Sequence, residues 1–216
     1  MKPISLRLAA AADLVLPGRP VADIGADHGG LVRQLVSCDV VPSGIAVDVA
    51  EGPTRRLKHS VESAGLTGRI DVRQGDGLEP LGVGEVATVC ILGMGGQTMA
   101  RILAAGLPQL PDLQRLVLSP HTGQELLRRF LVKAGWADVH GSWVLDRGHH
   151  YPVEAWERGP SVLADADFRW GRAARSSAGS GLVSMLQAEH LRLTQAHAGA
   201  LAGRGPEDPE VQALGA

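Results

Sequence analysis

Between Val21 and Glu157 short runs of apolar and β-branched residues alternate with stretches of helical spacing. This alternation restricts the chain to a largely parallel sheet covered by helices on both faces. The runs are Val21 to Ile24, Gly44 to Asp48, Ile70 to Gln74, Val86 to Leu92, Arg115 to Ser119, Trp143 to Asp146 and Tyr151 to Trp156. The first five are separated by segments long enough for a crossover helix, whereas only Arg147-Gly148-His149-His150 joins the last two, which predicts an antiparallel hairpin.

Past Gly159-Pro160 the pattern becomes helical. Phe168 to Ala174 reads as a helix, Ser176 to Gly181 as a loop, and Leu182, Met185, Leu186, Glu189 and Leu193 recur at helical spacing. We expect residues 1–159 to form the main domain, 160–203 a helical appendage folded as a hairpin with its apolar stripe packed inward, and 204–216 a disordered tail. The apolar runs fall short of the ~18 residues of a spanning helix. Lys2, Arg7 and Asp13 interrupt the opening stretch, so no signal peptide is expected, and the protein is read as cytoplasmic with no membrane partner. Cys38 and Cys90 lack metal-ligand or disulfide spacing, so two buried free thiols and no metal are expected. A net charge of -2 supplies no global attraction for nucleic acid, so any such site must be a local patch.

Val21 to Ile24 runs into Gly25-Ala26-Asp27-His28-Gly29-Gly30 and then an apolar helical stretch. A glycine-rich turn between strand and helix admits a ligand close to the backbone and aims free amides at it. A dinucleotide fingerprint requires glycine at position 27, where Asp27 stands and would repel a pyrophosphate. S-adenosylmethionine carries an ammonium and a sulfonium instead, so Asp23 and Asp27 favour it. Asp48, with Val49 beside it, ends the second strand 25 positions after Asp23 and suits ribose hydroxyls. Asp76 and Gly77 follow the third strand and suit an adenine ring; Gly93, Met94 and Gly95 follow the fourth. Cofactor contacts are therefore assigned to Asp23, Gly25, Asp27, Gly29, Asp48, Val49, Asp76, Gly77, Gly93, Met94 and Gly95. Five strand–helix units and a terminal hairpin give the fold class as α/β: the Rossmann-like seven-stranded sheet of class I methyltransferases, with a C-terminal helical hairpin.

The order of motifs resembles the bacterial tRNA (adenine(22)-N1)-methyltransferases. The resemblance runs through Ile4-Ser5-Leu6-Arg7-Leu8, Asp23-Ile24-Gly25-Ala26-Asp27-His28, Asp48-Val49-Ala50-Glu51-Gly52-Pro53, Gly75-Asp76-Gly77-Leu78, Gly93-Met94-Gly95-Gly96 and Tyr151-Pro152-Val153-Glu154. It implies methyl transfer from S-adenosylmethionine to adenine N1 in tRNA, with the C-terminal helices helping to hold the RNA. Two positions depart from the family pattern: Gly30 stands where a tyrosine is usual, and Ser119-Pro120-His121 replaces Gln-Pro-Asn. Both departures fall where a target base would be gripped. They leave open another RNA or a small molecule as substrate, or a cofactor- and RNA-binding protein without turnover.

N1 methylation is an in-line attack by a ring lone pair, so positioning and electrostatics carry the rate enhancement. The catalytic candidates are Asp27, to polarise the exocyclic amine, His28, to orient it, and His121, to stack on or hydrogen-bond the base. The plain alternative is that Asp27 caps the helix and His28 packs on the sheet. For RNA the candidates are Arg169, Arg172 and Arg175, at three-residue steps leading into the helical appendage.

Overall fold

The computed structural model describes residues 4–176 and 180–204. The expected tail lies, from residue 205 onward, outside the described residues. A first helix, α1 (Leu6–Ala12), is followed by β1 (Val21–Ile24), α2 (Gly30–Ser37), β2 (Gly44–Asp48), α3 (Glu51–Ser63), β3 (Ile70–Gln74), β4 (Thr88–Leu92), α4 (Gly96–Gly106), β5 (Arg115–Ser119) and α5 (Gln124–Lys133). The hairpin strands β6 (Trp136–Asp146) and β7 (His149–Arg158) come next, then α6 (Asp165–Trp170), α7 (Arg172–Ser176) and α8 (Ser180–Arg204).

The seven strands lie in the order β3-β2-β1-β4-β5-β7-β6. The first five are parallel, and β7 inserts antiparallel between β5 and β6. The order reverses beside β1, which places a crevice at the carboxyl ends of β1, β2 and β4. Alternation along the strands feeds two cores, because successive side chains point to opposite faces. Ala22, Ile24, Val89, Ile91, Leu116 and Leu118 pack with Met99 and Leu103 of α4 and Leu127 and Leu131 of α5. Val21, Ala46, Cys90 and Val117 pack with Leu31 and Leu35 of α2 and Leu57 and Val61 of α3. Burial on both faces explains why these strands read as continuous apolar runs.

Several elements differ from their sequence reading. The connection from β3 to β4 contains turns and no helix, because Gly75, Gly77, Pro80, Gly82 and Gly84 crowd into it. β6 begins at Trp136 rather than Trp143, extended through a bulge between Asp138 and His140. Arg147 and Gly148, both with positive φ (50° and 82°), make the hairpin turn, so His149 and His150 belong to β7. The first helix, α1, has no counterpart in the sequence reading; Ser5 accepts the Leu8 amide at its start. Cys90 is buried, but Cys38 is exposed: it follows the last turn of α2, on the polar side of that helix, where Gln34 donates to its sulfur.

The C-terminal part is helical but is two short helices followed by one long one. Gly171, with φ of 84°, interrupts what the sequence suggests as a single helix over Phe168 to Ala174. Trp143 of β6 packs with Ala174 of α7 and with Leu182 and Met185 of α8. Leu186, counted in the same stripe, is exposed. Arg128 of α5 and Glu154 of β7 form a buried ion pair, and Arg128 also donates to the carbonyls of Phe168 and Arg169, each at 2.8 Å. Glu154 closes the Tyr-Pro-Val-Glu segment, and its task is thereby anchoring the appendage to the sheet.

Candidate active site

Two cavities open at the carboxyl edge of the sheet and share Gly25. The smaller, about 290 Å³, lies between the ends of β1, β2 and β3, with Asp48, Val49, Asp76, Gly77 and Met94 on its wall. The larger, about 810 Å³, is walled by Asp23, Asp27 and His28 on one side and by Arg7, His121 and Tyr151 on the other. Gly25 has φ of 70°, and a methyl group there would collide with the terminal methyl of Met94. Glycine is therefore favoured at this point by the backbone, while the flexible Met94 side chain would have to swing aside for any larger residue.

Of the acids on the two cavity walls, Asp23 is the buried one, at 5% exposure beside Cys90 of β4. It accepts a hydrogen bond from the backbone of Val32 in the first turn of α2. Burial pushes its carboxyl up to about 7, against the smaller opposing effect of that hydrogen bond. Asp27 behaves differently: it is exposed, has φ of 51°, and lies 3.5 Å from His28 Nε2. Gly29 precedes α2 and no side chain caps that end, while His28 is 65% exposed; capping by Asp27 and packing of His28 on the sheet are both ruled out.

Asp48 accepts the Ala50 amide at 3.0 Å through Oδ1, and Asp76 pairs with Arg101 at 3.2 Å through Oδ2. Each keeps a second carboxylate oxygen with no hydrogen-bond partner among the described residues, so each retains capacity to accept from a ligand. Gly77 has φ of 59° and backs onto Ile102, which clears its side of the cavity. The Gly-Met-Gly-Gly segment divides its work. Gly93 (φ 81°) and Met94 line the cavities, while Gly96 packs directly on the Gly123 carbonyl and lets α4 and α5 approach. Hydrogen bonds from Gly96 to Thr122 (2.7 Å) and from His121 to Met94 (2.9 Å) stitch the two loops together.

Not every residue assigned from sequence reaches a cavity wall. Gly29 faces Leu57 and Gly95 faces Thr122. Arg172 pairs with buried Asp138 at 2.7 Å, Arg175 with Asp167 at 2.5 Å, and Arg169 lies 4.8 Å over the Trp170 ring. Conversely, Arg7, Arg33, Arg147 and Tyr151 stand on the larger cavity without having been assigned a role from sequence. Arg7 and Tyr151 lie inside segments that carry the family resemblance, which was the available signal. On this cavity Arg7 Nε and Arg33 Nε are buried without a hydrogen-bond partner, as is Ser119 Oγ at the end of β5. Among the described residues no group of three or more His, Cys, Asp or Glu side chains could hold a metal ion, and no helix is long and apolar enough to cross a membrane.

A mixed sheet with this order, parallel in its first five strands, a glycine turn after β1 and acids at successive strand ends define a Rossmann-like methyltransferase, and residues 4–153 match the family described as methyltransferase domain. A tRNA (adenine(22)-N(1))-methyltransferase of Bacillus subtilis is 36% identical over 156 residues, 72% of this chain and 66% of that protein's length. A Streptococcus pneumoniae structure described as a tRNA (m1A22) methyltransferase superposes with a TM-score of 0.90 at 33% identity, covering 98% of this chain and 95% of that one. The same pneumococcal protein, in complex with S-adenosyl-L-methionine, gives 0.88 at 32% identity over 98% and 94% of the two chains. This chain belongs to the tRNA (adenine(22)-N1)-methyltransferase family.

Proposed function

We propose that this chain is a cytoplasmic enzyme that methylates N1 of adenine 22 in tRNA, with S-adenosyl-L-methionine as its cofactor. One observation carries this reading: two cavities meet at Gly25, one flanked by Asp48 and Asp76 and the other faced by Asp23 and Asp27. The residues fit the cofactor by sign and by space. A ligand bearing a sulfonium and an ammonium is attracted by carboxylates, and the positive-φ glycines 25, 77 and 93 open the edge where it would lie. Asp48 would hold the ribose hydroxyls, Asp76 and Gly77 the adenine, and Asp23 the ammonium. When bound, S-adenosylmethionine supplies an electrophilic methyl carbon whose bond to sulfur breaks as adenine N1 takes it up.

The protein's share of the chemistry is orientation and charge. Asp27, on the target side of Gly25, would accept a hydrogen bond from the exocyclic amine as positive charge grows on the base. His28, 3.5 Å away, would orient that carboxylate. His121 would contact the base from the opposite wall. For the RNA, Arg169 beside the appendage is the proposed phosphate contact, together with Arg172 and Arg175 to the extent that phosphate competes with Asp138 and Asp167.

Transfer of labelled methyl from S-adenosylmethionine to bulk tRNA lacking the modification, followed by nucleoside analysis, tests the reading. The expected product is 1-methyladenosine. Cofactor binding with no labelled nucleoside, or a different methylated nucleoside, contradicts it.

A further inference from the structure

Three residues far apart in the chain meet on one wall of the larger cavity: Arg7 of α1, His121 beyond β5 and Tyr151 of β7. Arg7 Nη1 lies 2.8 Å from His121 Nε2. A guanidinium can only donate, so Nε2 is the acceptor and the ring carries its proton on Nδ1. Partial desolvation, then the charges of Arg7 and His149, holds the imidazole below its ordinary range, in agreement with a neutral ring. Nδ1 has no hydrogen-bond partner among the described residues. The Tyr151 ring is 5.0 Å from that of His121 at a 43° tilt, and the Arg7 guanidinium lies 4.9 Å over it.

Each member is fixed independently. The His121 amide is bound to the Met94 carbonyl, α1 is capped by Ser5, and Tyr151 sits in register opposite Val144 in the hairpin. Gly93 clears the approach, since a side chain there would begin 3.3 Å from Arg7 Nη1. Gly30 supplies no aromatic side chain, and its open side already meets Leu8 of α1 at 3.4 Å. Tyr151 is the one tyrosine of the chain.

We propose that His121 and Tyr151 form the seat of the target purine, and that Arg7 is a positioning residue that holds His121 as the Nδ1–H tautomer. The inference rests on the adenine-methylating function proposed above. A neutral Nδ1–H donates to a ring-nitrogen acceptor of a purine other than N1, and so leaves the N1 lone pair free to react. A protonated His121 would instead repel the cationic base that methylation creates. Tyr151 offers the aromatic face that residue 30 lacks, and base stacking of this kind contributes ~1–3 kcal/mol, or roughly 5- to 150-fold.

Two measurements on the full-length protein test this. Long-range ¹H–¹⁵N spectra report the His121 tautomer: Nδ1 protonated in the wild type, and Nε2 protonated or exchanging in Arg7→Met. Single-turnover methyl transfer to tRNA should fall at least about tenfold in Arg7→Met and Tyr151→Ala, yet stay within about threefold in Tyr151→Phe, with cofactor affinity unchanged in all three. If Arg7→Met does not fold, the wild-type tautomer and the Tyr151 pair of variants decide. An Nε2-protonated His121 in the wild type, or wild-type rates in Tyr151→Ala, overturns the seat while the function stands. A wild-type protein that methylates no tRNA overturns the function and the seat with it.

Discussion

The Asp23 carboxylate of β1 accepts the backbone hydrogen bond of Val32 in the first turn of α2, so the strand that builds the crevice is tied to the helix that walls it. Helix α2 has no capping side chain at its own start, where Gly29 occupies the capping position. One acid thus serves two ends: its hydrogen bond meets an orphan amide of the helix, and its burial raises its affinity for a proton or another cation. A carboxyl held up to about 7 is poised to exchange a proton for a bound ammonium.

Asp23→Asn should therefore weaken S-adenosylmethionine binding by about 10- to 100-fold, the value of one charge-assisted hydrogen bond. The same variant should melt higher than the wild type at pH 8. In the unfolded chain the carboxyl ionises near 3.8, whereas in the fold it does so at about 7, so wild-type stability falls as pH rises between these values and is level above them. Cofactor affinity of the wild type should rise with pH up to about 7, with proton release seen by calorimetry in two buffers of different ionisation enthalpy. Affinity independent of pH between 5 and 8, on the order of the range where such a group titrates, would show that Asp23 does not pair with the ligand.

Asp27→Asn separates charge from shape. Asn tolerates the left-handed backbone at this position as well as Asp does, so φ of 51° imposes no new strain. Turnover on tRNA should fall by about 100-fold, the usual value of a positioned acid–base group, with a smaller change in cofactor affinity. Unchanged turnover would remove Asp27 from the chemistry.

Glu154→Gln should destabilise the protein by about 3–5 kcal/mol, because it leaves Arg128 buried without its counter-charge. Hydrogen exchange should show the loss spreading to α6, whose carbonyls Arg128 also holds. A melting temperature within a degree or so of the wild type would mean the pair carries little net stability.

Arg172→Ala separates two tasks of the basic stripe. Its partner Asp138 is 3% exposed and also accepts the Ala173 amide, so removing Arg172 should lower the melting temperature first. Arg169→Ala, which breaks no buried pair, should instead reduce the salt dependence of tRNA affinity by about one unit of slope. If Arg172→Ala shows the larger loss of salt slope, the phosphate contact lies there.

The sheet was legible because strands buried on both faces leave nearly continuous apolar runs, as in Val21–Ile24, Gly44–Asp48 and Arg115–Ser119, while the edge strand Ile70–Gln74 shows itself by alternating apolar and polar residues. The start of β6 was not, since the polar bulge at Asp138 and His140 breaks its alternation. The cofactor edge could be read because glycines and acids follow successive strands in order. The opposite wall could not: Arg7 and His121 are 114 residues apart, and only the fold brings them together. The basic stripe shows the converse limit, as spacing along a helix says nothing of the acids, Asp138 and Asp167, that already hold it.

The most direct measurement is methyl acceptance by two otherwise identical unmodified tRNA transcripts, one with adenine and one with guanine at position 22, assayed with this protein and S-adenosylmethionine. The expected outcome is 1-methyladenosine in the first and none in the second. Equal methylation of both, or of neither while the cofactor binds, would contradict it.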